Sequence, residues 1–178
     1  MNMKYISLFI YKVFLIYLPP TSFPILGKPS KILRGYFCKK IFRNSGKSID
    51  IERGVVFGNG FNIIIGSNSG LGKYCYIPSD ISIGDNVMMG PNVLIISENH
   101  NYSDTKIPMN MQGISKKGHV IIEDDVWIGA RAIITEGRII KRGTIIAAGT
   151  VLTKDFPEFS IIGGNPGRLI KSRNEINT

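Results

Sequence analysis

The chain has 178 residues, which is enough for one domain with a sizeable hydrophobic core. Its two cysteines, Cys38 and Cys75, are too few for a disulfide framework, and no Cys/His cluster has zinc-finger spacing, so a reducing compartment is expected. The net charge of +9 is concentrated in residues 1–50, which hold nine of the 22 basic residues but one of the 13 acids. Such a basic segment favours an anionic partner.

The chain begins with an apolar, aromatic run that contains Lys12 and ends at Pro19 and Pro20. We predict a helix over residues 1–20, and its apolar run is shorter than the roughly 20 residues that span a bilayer. No small-residue cleavage site follows, so a secretory signal is not expected. Two functions stay open: peripheral membrane contact through residues 1–47, or a cap on the open end of a repeat fold. One helix could serve both.

The segment from Thr21 to Gly35 is rich in Pro, Gly and Lys and predicts a loop. A short second helix is predicted over residues 35–47, and the repeat body should begin near Ile49. The expected divisions are a basic, partly helical segment 1–48, a repeat domain 49–171 and a tail 172–178.

In the repeat domain an aliphatic residue recurs at every sixth position, a spacing that neither an α-helix nor a flat strand produces. It predicts a coil with one short strand per hexad, stacked around a narrow apolar core. An earlier phase at Ile51, Phe57 and Ile63 slips by two residues, which predicts a small bulge at Ile63–Ile65. The periodic residues are Ile65, Leu71, Ile77, Ile83, Met89 and Ile95 in a first run, and Ile122, Ile128, Ile134, Ile140, Ile146 and Leu152 in a second.

The residue two positions before each periodic aliphatic should share its face, because side chains alternate along a strand. Arg138 is the exception in this otherwise small or β-branched set, since a charge that points inward is costly unless it is paired. Either that turn is distorted or the phase is locally wrong. The other members are Ser69, Cys75, Ile81, Val87, Val93, Val126, Ala132, Thr144 and Thr150.

The largest break in the period is the segment 97–119, which contains both histidines. His100 follows the last periodic residue of the first run by five positions, so it lies where a flexible loop leaves a rigid edge. Its imidazole suits a general base near neutral pH, and a solvent-exposed loop histidine is the alternative. His119 is expected to be a polar residue at a loop-to-strand junction.

Four stretches carry a resemblance to a known family: Ile83-Gly84-Asp85-Asn86-Val87, the run from Ile122 to Ala130, Glu98-Asn99-His100-Asn101 and the stretch from Gly163 to Arg168. With them the chain resembles the hexapeptide-repeat acyltransferases over roughly residues 49–171. The most similar members are bacterial O-acetyltransferases of capsule and lipopolysaccharide biosynthesis, and the galactoside and maltose O-acetyltransferases are more distant.

The resemblance implies an all-β, left-handed parallel β-helix with a short helical N-terminal segment and the protruding loop 97–119. It implies acetyl-CoA as the acetyl donor without a metal, and a hydroxyl of a sugar or lipid-linked glycan precursor as the acceptor. His100 would be the base. The resemblance also implies a homotrimer with active sites between subunits. We expect the protein in the cytoplasm, at the inner face of the membrane if the N-terminal segment binds lipid.

Seven residues are expected to bind coenzyme A. Trp127 precedes an inward residue and should therefore point outward, where it can pack against the pantetheine arm; a subunit interface is its alternative. The resemblance to the galactoside-type enzymes implies further residues that contact the pantetheine arm and the phosphates of coenzyme A. Two of them differ from those enzymes, since Ala130 stands where they carry serine and Lys171 where they carry arginine. The full set is Trp127, Ala130, Ala148, Thr153, Lys154, Arg168 and Lys171.

The acceptor side departs from the galactoside-type pattern, because Ser69 or Gly70 stands where those enzymes hold the sugar with an asparagine. Aromatic and basic residues nearby could meet the acceptor instead, with the loop from Tyr102 to Gly113 as one wall. The expected acceptor-binding residues are Asn99, Lys73, Tyr74 and Tyr76.

Two other functions compete with an acetyltransferase for this fold. A zinc carbonic anhydrase on the same coil needs about three convergent ligands, and the sequence offers two separated histidines. A non-catalytic binding or spacer protein would favour a uniform outer face, which the hexads do not show. No nucleic-acid partner is expected, because no recognition motif accompanies the basic segment.

Overall fold

The computed structural model describes residues 3–115 and 118–175. The remaining residues, which belong to the predicted helix, loop and tail, lie outside this part of the chain. From Asn44 onward the chain winds into a parallel β-solenoid whose turns have three sides and three corners. The first two turns have two-residue strands on two sides and a single bridge residue, Val56 or Tyr76, on the third. Strands of successive turns pair in register and build three flat faces, here named faces A, B and C. The fold class predicted from the six-residue period is confirmed.

Each face is a short sheet that runs along the solenoid axis. Face A contains β1 (Asn44–Ser45), β3 (Ile64–Ile65), β5 (Ser82–Ile83), β8 (Ile121–Ile122) and β11 (Ile139–Ile140). Face B contains β2 (Asp50–Ile51), β4 (Gly70–Leu71), β6 (Met88–Met89), β9 (Trp127–Ile128), β12 (Ile145–Ile146), β14 (Ser160–Gly163) and the antiparallel β15 (Arg168–Ser172). Face C contains β7 (Leu94–Ile95), β10 (Ile133–Ile134) and β13 (Val151–Leu152).

The interior of the solenoid is filled as the sequence predicts. In strands β2 to β13 the second residue points inward, and so does the residue two positions before it, with Arg138 as the exception. All nine small or β-branched residues assigned to that second position are buried. The core is therefore a narrow column of aliphatic side chains, and the outward residues of the strands remain available for other contacts.

Two α-helices cover the first turn of the solenoid. The first, α1 (Met3–Val13), is followed by a 3-10 turn at Leu15–Tyr17, and the second, α2, spans Gly27–Ile41. The prediction that residues 21–35 are a loop is wrong from Gly27 onward, and the predicted second helix is present but spans 27–41 instead of 35–47. Packing of α2 on the first turn outweighs the low helix propensity of its Gly and Pro residues. In the described part of the chain no helix is long and apolar enough to cross a bilayer.

The start of the coil also differs from the prediction. Strand β1 pairs with β3, so the solenoid begins at Asn44 rather than near Ile49. Ile63 and Ile65 are both buried, which means that no bulge separates them. The two extra residues lie instead in the preceding corner, where the Ile63 amide donates to the Gly60 carbonyl at 3.2 Å. Insertions at a corner leave the strand register intact.

Arg138 resolves the open question about its turn. Its side chain is a quarter exposed and leaves the coil at a corner instead of entering the core. The guanidinium donates to the carbonyls of Glu136 and Thr153, both at 3.1 Å, and its Nη1 lies 3.5 Å from an Asp155 carboxylate oxygen. Neither alternative holds: Gly137 has the left-handed φ of 68° that recurs at every sixth residue, and β11 keeps its register with β8, so turn and phase are both regular. The charge is accommodated because the side chain meets three oxygen acceptors.

A buried arginine fastens the helical cap to the solenoid. The Arg34 side chain is fully buried, with Nε donating to the Ile51 carbonyl at 2.7 Å and Nη1 to the Pro19 carbonyl at 3.1 Å. Its Nη2 lies 3.8 Å from a carboxylate oxygen of Glu52. Burial lowers the pKa of Arg34, and the Glu52 carboxylate opposes that shift. One guanidinium thereby joins α2, the connector after α1 and the first turn of the coil.

We expect Arg34→Ala to lower the free energy of unfolding by about 3–5 kcal/mol, because it leaves buried oxygens and the Glu52 carboxylate without their partner. Denaturant unfolding followed by circular dichroism measures the change. Lys31→Ala is the control, since it removes a half-exposed ion pair with Asp50 and should cost less than about 1 kcal/mol. Equal losses in the two variants would show that Arg34 has no special role in the cap.

Candidate active site

The loop that carries His100 leaves the solenoid after β7 and returns before β8. Its base is closed by a hydrogen bond from the Gly118 amide to the Ser97 carbonyl at 3.0 Å. Above the base, His100 and Ile114 form an antiparallel bridge, and the Ser115 amide donates to the Asn99 carbonyl at 2.7 Å. The first residues of the loop therefore form a paired stalk that fixes the backbone of His100.

The tip of the loop is held by its own amide side chains. Nε2 of Gln112 donates to the carbonyls of Asp104 and Ile107, both at 2.7 Å. Nδ2 of Asn101 donates to the Gln112 carbonyl at 3.0 Å. Sequence reasoning did not assign a role to Asn101 and placed Gln112 only in a wall. Amide residues that recur in a loop without secondary structure were the available signal, because their side chains can replace missing backbone partners.

His100 is exposed at the rim of a hollow of about 430 Å³ that Asn99, Tyr102, Met109 and Asn110 also line. The Asn99 side-chain oxygen accepts a hydrogen bond from the His100 amide at 2.9 Å, so Asn99 positions the histidine backbone. The hollow combines an imidazole with an aromatic ring, an amide and a thioether. This composition can hold a polar ring-shaped molecule beside a proton acceptor.

A second hollow of about 260 Å³ lies at the foot of the loop. Tyr76 lines it together with Pro78, Ser97 and Glu98. Glu98 and His100 thus line different hollows, so the Glu98 carboxylate does not share the hollow of the imidazole. Tyr76 lies on the loop side of face C, where a predicted acceptor residue can approach the loop.

His119 is placed away from both hollows. It forms a hydrogen bond through Nε2 with the Ser82 hydroxyl at 3.0 Å, next to strand β5. A polar partner on the neighbouring turn is what the loop-to-strand interpretation predicts. Nothing in this position brings His119 together with His100.

A row of small residues, here called the groove, runs along the corner between faces B and C. Gly90 and Gly129 are needed there, because a Cβ atom on Gly90 would lie 2.6 Å from the Ala130 nitrogen, and one on Gly129 would lie 2.5 Å from the Ala148 nitrogen. The predicted arm-binding residues Ala130 and Ala148 therefore stack directly on successive turns. The groove exposes backbone and methyl groups, which suit an extended, flexible chain.

Trp127 flanks this groove and points outward, as predicted, with half of its side chain exposed. Its register neighbours on face B are Met88 and Ile145, so its indole stands in an apolar strip. Arg168 lies opposite Gly163 and Lys171 opposite Ile161 on the last strands of the same face. Trp127, Arg168 and Lys171 are thus brought to one side of the solenoid.

Thr153 and Lys154 lie at the corner between faces C and A. This is the corner from which the loop emerges, two turns earlier, after β7. Each side of the solenoid is six residues long, or roughly 20 Å. Within one chain, His100 and these two residues are thus separated from the Ala130–Ala148 groove by the width of face C.

The remaining predicted acceptor residues lie at the groove corner and not beside His100. Lys73 donates from Nζ to the Ser22 hydroxyl at 3.1 Å, in the connector between the helices. Tyr74 has a left-handed backbone, with φ of 58°, and its ring covers Gly54 in the first turn. The structure therefore does not join Lys73 and Tyr74 to Tyr76 and Asn99 in one chain.

The described residues, 3–115 and 118–175, contain no group of three His, Cys, Asp or Glu side chains that could hold a metal ion. Both cysteines are buried free thiols. Burial raises the pKa of Cys75 to about 11 and raises the pKa of Cys38 well above its usual value.

Comparisons with known proteins agree with this architecture. Residues 62–97 and 119–154 match the family described as bacterial transferase hexapeptide (six repeats). The galactoside O-acetyltransferase of Escherichia coli K12 is 31% identical over 150 residues, which are 83% of this chain and 72% of that protein.

Two solved structures share the fold. A maltose O-acetyltransferase from Clostridium difficile 630 is 36% identical with a TM-score of 0.70, covering 79% of this chain and 75% of that one. A galactoside acetyltransferase in complex with coenzyme A is 27% identical with a TM-score of 0.78, covering 98% of this chain and 80% of that one.

We expect neither cysteine to react with an aromatic disulfide reagent while the protein is folded, because the attacking species is the thiolate and both thiols are buried with raised pKa values. Absorbance of the released thiolate at pH 8 measures the reaction. Unfolding in urea should expose both cysteines and serves as the positive control. Rapid labelling of the native protein would contradict the burial of these side chains.

Proposed function

The chain belongs to the bacterial transferase hexapeptide family and is an acetyl-CoA-dependent acetyltransferase, and from that premise we propose that it acetylates a sugar hydroxyl. The acceptor is a sugar or lipid-linked precursor of a surface glycan, the base is His100, and the reaction takes place in the cytoplasm. The observation that carries the proposal is the position of His100, on a paired stalk at the rim of a hollow with aromatic and amide walls.

The proposed reaction is a direct transfer. The hydroxyl oxygen attacks the thioester carbonyl carbon while His100 removes the hydroxyl proton. This proton transfer is needed because a neutral hydroxyl is a poor nucleophile. The tetrahedral intermediate then collapses, the C–S bond breaks, and the thiolate of coenzyme A takes the proton from the imidazolium. A backbone N–H is our choice for the donor that stabilises the oxyanion, since such donors cost no reorganisation.

The donor side of the proposal uses the groove between faces B and C. The pantetheine arm lies over Ala130 and Ala148, with the Trp127 ring against it. Arg168 and Lys171 are exposed on the last strands, where they can meet phosphate oxygens. Support comes from the galactoside acetyltransferase of similar fold that was solved with coenzyme A.

The acceptor side rests on the hollow of His100 and on the relatives' names. Two of the similar proteins are named for galactoside and maltose as acceptors. Tyr76 and Tyr102 offer exposed rings, which pack on the apolar faces of sugars. No observation on the described residues favours the zinc enzyme or the non-catalytic spacer.

We also propose that the active site forms between subunits of a homotrimer. In one chain the His100 corner and the Ala130–Ala148 groove are a face apart, roughly 20 Å by strand length. A cyclic arrangement would bring the His100 corner of one subunit against the groove of the next. Thr153 and Lys154 would then reach the donor from the histidine side, and Lys73 and Tyr74 would reach the acceptor from the groove side.

We expect His100→Ala to lower kcat by about 10²- to 10⁴-fold, the usual contribution of a general base. Release of free thiol from acetyl-CoA, measured against a panel of sugars and lipid-linked glycans, reports the rate. His119→Ala is the matched control and should stay within a few fold of the unsubstituted protein. Unchanged turnover in His100→Ala, with retained coenzyme A binding in both variants, would remove His100 as the base.

Co-expression of His100→Ala with Ala148→Trp tests the shared site. Each variant alone should be inactive, the first for lack of a base and the second because the indole fills the groove. In a cyclic trimer every mixed assembly contains one site with both intact halves, so random mixing should restore about one quarter of the activity. No recovery in purified mixed trimers would place both halves in one chain.

A further inference from the structure

The helical cap has an outward surface that the proposed reaction does not use. In α1, Ser7 and Tyr11 are buried toward the solenoid, and the Tyr11 hydroxyl donates to the Val55 carbonyl at 2.8 Å. Phe9 and Val13 differ from Tyr11 by two positions, which is about 160° around a helix, and so lie on the opposite side. Phe9 is 62% exposed. The surface of α1 turned away from the coil is therefore apolar.

The second helix repeats this arrangement. Arg34 and Cys38 are buried toward the coil, whereas Ile32 and Tyr36 lie two positions from Arg34 and are exposed. Lys28 and Lys39 lie on the same outward side of α2. Each exposed apolar side chain on this helix thus has a lysine nearby.

The connector between the helices ends in an apolar tip. Ile25 is 92% exposed, and Phe23 and Leu26 are exposed beside it. The backbone of Ile25 is left-handed, with φ of 64°, which is strained for a β-branched residue. Glycine or asparagine would avoid that strain. An isoleucine that costs conformational energy and leaves nearly its whole surface exposed indicates a contact with something other than the described part of the chain.

The charge around these side chains has one sign. Residues 3–49 contain nine Lys or Arg residues and no Asp or Glu. Arg34 is buried and Lys31 pairs with Asp50, whereas Lys28 and Lys39 are exposed on the outward side of α2. We name the surface formed by Phe9, Val13, Phe23, Ile25, Leu26, Ile32 and Tyr36, with their flanking lysines, the cap surface.

We propose that the cap surface docks on an anionic lipid bilayer. Apolar side chains that enter the interface and lysines that meet the headgroups are the two components of peripheral binding. A second copy of this chain fits less well, because it would bring like charges together without water. A nucleic acid would neutralise the lysines but leave Phe9 and Ile25 unburied.

The test uses the full chain and vesicles of phosphatidylcholine with or without one quarter phosphatidylglycerol. We expect flotation with the anionic vesicles only, weakened by salt. Lys28→Glu/Lys39→Glu should lower the affinity by at least about 25-fold, since each lysine near an anionic surface contributes about fivefold. Lys106→Glu/Arg142→Glu changes the net charge equally but lies on the coil and its loop, so its vesicle binding should fall much less.

Ile25→Gly separates docking from folding. Glycine adopts the left-handed backbone without strain, so the variant should keep or raise the melting temperature while its vesicle affinity falls severalfold. A lower melting temperature with unchanged vesicle binding would overturn the proposal. So would absence of binding to anionic vesicles, equal losses in the two charge variants, or a cap variant that changes only the oligomeric state.

Discussion

The close stacking of each backbone turn on the next is the constraint from which the rest of this structure follows. Strands of adjacent turns pair residue for residue, as Met88 does with Trp127 and Trp127 with Ile145. At the corner between faces B and C the backbones approach so closely that Gly90 and Gly129 cannot carry a side chain. The same lack of side chains creates the groove that we assign to coenzyme A. The stacking of the turns and the proposed donor binding therefore both require residues with little or no side chain at these positions.

The coil could be predicted from sequence because its information is local and periodic. The pattern within each hexad predicts which residue points inward, and every predicted inward position except Arg138 is buried. The helical cap could not be predicted in the same way. Gly27, Pro29 and Gly35 argue against a helix by propensity, and only tertiary contacts such as those of Arg34 make α2 favourable. Pro29 is tolerated because it lies in the first turn of α2, where its missing N–H has no partner to lose.

The candidate site was predictable in its residues and less so in its arrangement. His100 and Trp127 follow from an interrupted period and from strand alternation. Which corner a residue occupies depends on counting turns in three dimensions, and this separates Lys73 and Tyr74 from His100. The roles of Asn99 and Gln112 depend on backbone partners that no spacing rule reveals. The cap likewise combines two tasks, since its inner side closes the core while its outer side stays apolar.

The closed base of the loop has a consequence for how such an enzyme can diversify. Ser97 and Gly118 are joined by a hydrogen bond at the base of the loop. Strand β5 pairs in register with β8 of the next turn, as it would if the loop between β7 and β8 were absent. The length and composition of the loop can therefore vary without shifting the register of any strand. A single residue added within a hexad would instead reverse every inward and outward side chain of that strand. On the proposed assignment of the site, the loop that lines the acceptor hollow can therefore change while the strands and the donor groove stay the same.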